Sequence, residues 1–157
     1  MSPSVQSAPL SIRLRRARPG DVPALFEVEH TSFDGDKLSE RRLRHWVSAP
    51  NGILLLAESG EAVLGFCLVF SRVDSPAARL YSIAISKAAR GQGLGKKLLR
   101  KAESLAREQG FKSIRLEVAA GNSVAIGLYQ KLGYEIFGHK PGYYEDGQHA
   151  IRMQKVL

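Results

Sequence analysis

Arg90-Gly91-Gln92-Gly93-Leu94-Gly95-Lys96 is a glycine-rich turn set between an alternating apolar segment and an amphipathic one. Upstream, Tyr81, Ile83 and Ile85 alternate with Ser82, Ala84 and Ser86, the period of a strand. Downstream, Leu94, Leu98, Ala102, Leu105 and Ala106 recur at helical spacing, with Lys96, Lys97, Arg100, Lys101 and Arg107 on the other side. Glycines at 91, 93 and 95 let backbone approach a ligand closely and adopt conformations that a Cβ forbids. The free N–H groups at the start of the following helix, with the positive end of its dipole, make an anion site. Arg90 and Lys96 bracket that site, and a pyrophosphate-bearing ligand suits it.

Spacing narrows the ligand. A Walker P-loop needs four residues between its first glycine and Gly-Lys-Ser/Thr; Gly91 to Gly95 leaves three, and Lys97 stands where the Mg-binding hydroxyl belongs. The dinucleotide fingerprint fails as well, because its third glycine arrives one residue early, at Gly95. The stretch resembles the Arg/Gln-x-x-Gly-x-Gly/Ala signature of the GCN5-related N-acetyltransferase (GNAT) superfamily, through Arg90, Gly93 and Gly95 with Gln92 as filler. That resemblance implies a loop, from Arg90 and Gly91 through Gln92, Gly93, Leu94, Gly95 and Lys96, that holds the pyrophosphate of acetyl-coenzyme A. It also implies the α/β (α+β) acyl-CoA N-acyltransferase fold, a mixed sheet of about seven strands flanked by four helices.

Bulk properties agree with one enzyme-sized domain. A chain of 157 residues can bury a proper core, and its apolar and charged fractions are ordinary for a globular protein. No apolar run approaches membrane-span length, and Met1 to Leu10 lacks the charged-then-apolar pattern of a signal peptide. The one cysteine, Cys67, excludes an internal disulfide and lies in an apolar run, where free Cys is packing. Histidines 30, 45, 139 and 149 show no metal-ligand spacing, so no metal is expected, and a reducing cytoplasm is the default compartment. The net charge of +8 favours anionic partners, but the basic residues are spread out with no aromatic-laced stripe, so no nucleic-acid partner is expected.

Along the chain, residues 1–10 are expected to be a disordered leader and 11–157 a single domain. Ile12 to Ala17 alternates as a first strand, at a sheet edge. Asp21 is a candidate N-cap for a helix reaching about Thr31, with Pro23 in its first turn. A second helix starts near Leu38-Ser39 and ends before Pro50. Ile53 to Ala57 and Ala62 to Phe70 are continuous apolar runs, fitting a hairpin of two buried central strands around Glu58-Ser59-Gly60-Glu61. The long helix stops at Gly110; Ser113 to Ala119 is a strand. Asn122 caps a short helix that Gly133 ends. Tyr134 to Phe137 and Gln148 to Val156 are two strands around a loop from His139 to Gly147.

From the glycine turn onward the chain resembles the RimI-like branch of the superfamily, the protein N-terminal (ribosomal-protein-alanine) acetyltransferases. The residues that carry this are Tyr81 to Ile85, Leu116-Glu117-Val118, Asn122, Ala125-Ile126, Leu128 to Tyr134, and Tyr143-Tyr144-Glu145-Asp146-Gly147. The resemblance implies that Glu117 is the base, directly or through water, and that Tyr129 is the acid that protonates the CoA sulfur. Periodicity alone reads Glu117 as a solvated strand residue paired with Arg115, and Tyr129 as packing. The resemblance further places Asn122 and the backbone of Ile83, Ala84 and Ile85 along pantetheine. It puts Phe33, Tyr81, Tyr143 and Tyr144 around the acceptor. The implied partners are acetyl-CoA and a peptide or protein amine, a ribosomal protein included, in a monomer or homodimer. The first half departs from this pattern at Asp34 to Ser39, so lysine side chains, a different N-terminus and small amines stay open as acceptors; a non-catalytic CoA-binding module is a separate alternative, against which Glu117 and Tyr129 both speak.

Overall fold

The computed structural model describes residues 11–32 and 38–157; the expected leader and the connection carrying Phe33 lie outside the described residues. The elements are β1 (Arg13–Arg16), a 3-10 turn (Pro19–Asp21), α1 (Val22–Ser32), α2 (Glu40–Ser48), β2 (Gly52–Ser59), β3 (Ala62–Phe70) and β4 (Ala77–Ile85). A second 3-10 turn (Lys87–Ala89) precedes α3 (Leu94–Glu108), β5 (Ser113–Ala119), α4 (Ser123–Lys131), β6 (Glu135–Lys140) and β7 (Ala150–Val156). The seven strands form one mixed sheet in the order β1-β2-β3-β4-β5-β7-β6. This is the expected architecture, with β1 at an edge.

The apolar patterns explain the layering. In β2 and β3 every second residue faces a different helical layer. Ile53, Leu55, Ala57, Cys67 and Val69 pack with Leu98, Leu99, Ala102 and Ala106 of α3. Leu54, Leu56, Phe66 and Leu68 pack with Leu25 and Val28 of α1 and Leu43 of α2. Burial on both faces is why these strands read as continuous apolar runs rather than as alternation. Cys67 is fully buried there, which pushes its thiol up to about 12 and leaves it a packing residue.

Several boundaries differ from the sequence reading, each for a local reason. Asp21 directly precedes α1 but its carboxylate turns back into the 3-10 turn, where it accepts the Arg18 N–H at 2.7 Å. It also accepts two N–H groups of Arg15, at 2.8 and 2.9 Å. Strand β2 continues through Ser59, which pairs with Ala62 and leaves Gly60-Glu61 as a tight turn. Strand β6 runs on to Lys140 because His139 and Lys140 pair with Ile151 and Ala150.

Two irregularities position the site. Leu68 pairs with Ser82 and Val69 with Leu80, so Tyr81 is an extra residue in β4. Before this bulge Ala78 and Leu80 face α3; after it Ile83 and Ile85 take that face, and Ala84 turns to α1. The second irregularity is the junction of β4 with β5, the one parallel pair among the described residues. Its register covers Ala77↔Ser113, Ala78↔Ile114 and Arg79↔Arg115. Beyond Arg79, β4 stays paired with β3 as far as Ile85, while β5 stays paired with β7 as far as Ala119. The sheet is therefore split by a wedge that opens toward the glycine turn.

A buried polar cluster ties α3 to the far side of that wedge. The Tyr134 hydroxyl donates to Glu103 Oε2 at 2.8 Å, and Lys155 Nζ donates to Glu103 Oε1 at 3.0 Å. Tyr134→Phe removes one charge-assisted bond to a buried carboxylate and should cost about 1–3 kcal/mol in urea unfolding. Arg15 makes a second network, donating to both Asp21 and Glu58 and holding both carboxyls below their usual range. Groups with lowered folded values stabilise above the unfolded pKa, about 4, and lose that effect as pH falls through the folded value. Arg15→Gln should therefore lower the urea midpoint at pH 7, and the gap from the parent should narrow below about pH 4.

Candidate active site

The glycine turn is built as an anion cradle. Gly91 and Gly93 have φ of +82° and +74°, a region that L side chains rarely adopt, and nothing lies within 4 Å of where their Cβ atoms would be. Gly93 is the N-cap of α3, with no side-chain cap and no acidic residue in the first turn. The first N–H groups of α3 therefore point outward without a helical acceptor. Arg90 is anchored by its Nε, which donates to Ile85 O at 3.2 Å, while Lys96 is exposed. Leu94, by contrast, is buried in the core and can offer only backbone. Space, orphan donors and positive charge together fit a pyrophosphate, so Arg90 to Lys96 could hold that part of a CoA molecule.

The wedge supplies the rest of such a binding path. Ile83, Ala84 and Ile85 lie where β4 has left β5, a strand edge able to pair with an extended amide-bearing arm. Asn122 caps α4 through Oδ1, which accepts the Ala125 N–H at 3.1 Å. Its side chain is thus engaged in the cap that the sequence suggested. Tyr129, on α4, packs against the α3-side core and meets Tyr134 edge-on, with ring centroids 5.8 Å apart. Burial pushes its phenol up to about 12, with smaller contributions from Cys67 and Tyr144. The hydroxyl is therefore a proton donor throughout the physiological range.

Glu117 is not the solvated residue that periodicity suggests, and its partner is not Arg115. Its side chain is only 5% exposed. It alternates with buried Leu116 and Val118, so it lies on the opposite face of β5, where cross-strand Arg152 sits beside it. Arg79 Nη2 is in ion-pair contact with Oε1, and Arg152 Nε lies 3.6 Å from Oε2. Oε1 is nonetheless buried with no hydrogen-bond donor of proper geometry among the described residues. Arg79 also donates to the Tyr143 hydroxyl at 2.6 Å. Tyr143 and Tyr144 meet edge-on at 5.0 Å, and Tyr144 is raised by burial, then by Tyr143 and Glu117.

Tyr81 completes this face. Its ring lies under two guanidinium groups, with Arg42 at 5.3 Å and Arg79 at 5.9 Å, and its centroid is 5.2 Å from that of Phe70. The structure thus gathers Glu117, Tyr81, Tyr143 and Tyr144 at the mouth of the wedge. Tyr129 approaches from the α4 side. Phe33 lies outside the described residues. Arg42, Arg79 and Arg152 were not anticipated from sequence. Arg152 becomes visible only through the register that sets it opposite Glu117, and Arg79 only through the parallel pairing of β4 with β5.

The profile of the Acetyltransferase (GNAT) family matches residues 21–134. A Bacillus subtilis (strain 168) protein, provisionally named a ribosomal protein bS18-alanine N-acetyltransferase, is 31% identical over 141 residues, spanning 89% of this chain and 92% of its own. The crystal structure of the ribosomal-protein-S18-alanine N-acetyltransferase from Escherichia coli superposes with a TM-score of 0.82 at 24% identity, over 93% of this chain and 94% of that one. That of the PaiA N-acetyltransferase from Thermoplasma acidophilum, in complex with coenzyme A, gives 0.78 at 21% identity, over 94% and 100%.

The cradle makes its own prediction. Gly93→Ala puts a Cβ on a left-handed residue at the helix start, and should weaken CoA binding about tenfold in calorimetry, with a loss of about 1–2 kcal/mol in folding stability.

Proposed function

The chain belongs to the acetyltransferase (GNAT) family and is an acetyl-CoA-dependent acetyltransferase; from that premise we propose that it acetylates the α-amine of a peptide or protein, with Glu117 as base and Tyr129 as acid. The observation that carries the reading is the buried Glu117 carboxylate at the mouth of the wedge, beside Tyr143 and Tyr144. The names of the Bacillus subtilis and Escherichia coli proteins favour a protein N-terminus as acceptor.

Acetyl-CoA supplies the acyl group as a thioester. In the proposed reaction the glycine turn grips its pyrophosphate, and Ile83, Ala84 and Ile85 pair with its pantetheine arm as an added strand would. A backbone N–H of that edge polarises the acyl carbonyl. The amine nitrogen bonds to the acyl carbon as the C–S bond breaks. Glu117, directly or through a water at Oε1, takes the proton that the nitrogen gives up, while Arg79 and Arg152 fix the carboxylate in place. Tyr129 donates its phenolic proton to the departing sulfur. Tyr81, Tyr143 and Tyr144 flank the entering peptide.

An α-amine suits such a site because it is more easily deprotonated than lysine, by roughly 3 to 4 kcal/mol at neutral pH. Thiol release from acetyl-CoA should therefore require peptides with free N-termini and fail with blocked peptides that offer only an internal lysine. Turnover of the blocked lysine peptides would overturn the assignment.

Glu117→Gln and Tyr129→Phe should each lower kcat by about a hundredfold with CoA affinity intact. Because burial raises Tyr129 to about 12, kcat of the parent enzyme should hold steady from pH 8 to 10 instead of falling where an ordinary phenol titrates.

A further inference from the structure

Three guanidinium groups gather near the mouth of the wedge. Arg79 and Arg152 share the Glu117 carboxylate, and the link from Arg42 to Arg79 runs through the Tyr81 ring. Arg42 Nη1 also lies 3.4 Å from the Tyr81 hydroxyl. Beside it is an open hollow of about 560 Å³ whose lining among the described residues is Ser39, Arg41, Arg42, His45 and Trp46, none of them acidic. Neither Arg41 nor Arg42 forms an ion pair with a carboxylate among the described residues. Arg15 shows how the same chain treats an arginine that serves the fold: both edges of its guanidinium are met by carboxylates.

Arg42, held over the Tyr81 ring and without an ion pair to a carboxylate among the described residues, is a recognition element for carboxylate on the face that carries Glu117. We propose that the acceptor is an acidic peptide, whose Asp or Glu side chains, within the first few residues behind the acetylated amine, seat on Arg42 and in the hollow beyond. This rests on the α-amine reading of the same site. The guanidinium groups act on the two ends of such a substrate in opposite senses. They attract the downstream carboxylates and disfavour the ammonium form of the amine, which shifts the N-terminus toward the neutral nucleophile.

The test uses the full chain, acetyl-CoA and peptides that share a free N-terminal alanine and an amidated C-terminus. At positions two to four they carry three acidic residues, three neutral amides or three basic residues. The acidic peptide should show kcat/KM roughly five- to tenfold above the neutral one, mainly through KM, with the basic peptide lowest. Rising salt should erase the difference. Arg42→Glu, checked for unchanged CoA binding, should invert the order of acidic and basic peptides. Equal kcat/KM across the series, or a preference for the basic peptide, would overturn the proposal. So would retention of the acidic preference in Arg42→Glu. Inhibition by a short oligonucleotide, with no discrimination among peptides, would overturn it too and assign the hollow to nucleic acid. A parallel series with blocked N-termini and an internal lysine separates the two readings. Turnover there alone defeats the α-amine assignment, while its acidic-to-basic ranking still tests the hollow.

Discussion

The ladder between β4 and β5 stops after three residue pairs, and the rest of the molecule is arranged around that interruption. A parallel pair that continued to Ile85 and Ala119 would be an ordinary closed sheet with no room for an extended ligand. Parting the strands divides the sheet into β1 to β4 on one side and β5, β7 and β6 on the other. Something must then hold the halves together across the gap. Helix α3 does so, packing on β2, β3 and β4 while its Glu103 reaches Lys155 of β7 and Tyr134 next to β6. A buried carboxylate is a costly thing to place in a core unless both oxygens are met, and here each has a donor. The polar cluster can be read as the strap that lets the wedge stay open.

The wedge also separates two chemistries. The α3 and α4 layer presents the anion cradle and Tyr129; the opposite face of the sheet presents Glu117, Tyr81 and the arginines. In the proposed reaction the proton acceptor and the proton donor therefore stand on opposite sides of one gap, with the amine entering from the Glu117 side and the sulfur leaving toward Tyr129. The bulge at Tyr81 contributes directly. Strict alternation would turn Tyr81 toward α3 with Ile83 and Ile85, whereas the extra residue leaves it among Arg42, Phe70 and Arg79.

Features with local causes were legible in the sequence. The glycine turn, the helix after it, the Asn122 cap and the two-sided burial of β2 and β3 all follow from side chains within a few residues of one another. Features set by register were not. Nothing near Glu117 in sequence shows that Arg79 and Arg152 will meet it, because those contacts exist only once β5 has been placed between β4 and β7. The Asp21 misreading has the same origin at shorter range. An aspartate before an apolar periodic run looks like a cap, but Arg15 on the preceding strand and the Arg18 N–H claim its carboxylate.

Electrostatics connects these observations to acceptor choice. A net charge of +8 spread over a surface says little by itself, and individual cations such as Arg15 are already paired with carboxylates. Arg42 is different: it has no ion pair among the described residues and lies over Tyr81, on the face that carries Glu117. A lysine ammonium brought there holds its proton tightly and meets like charge; an α-amine enters neutral far more readily. In the proposed reading the field that disfavours a lysine ammonium also draws in carboxylates behind the α-amine. In the proposed reaction, selection of the amine type and selection of the peptide behind it are two consequences of a single cluster of guanidinium groups.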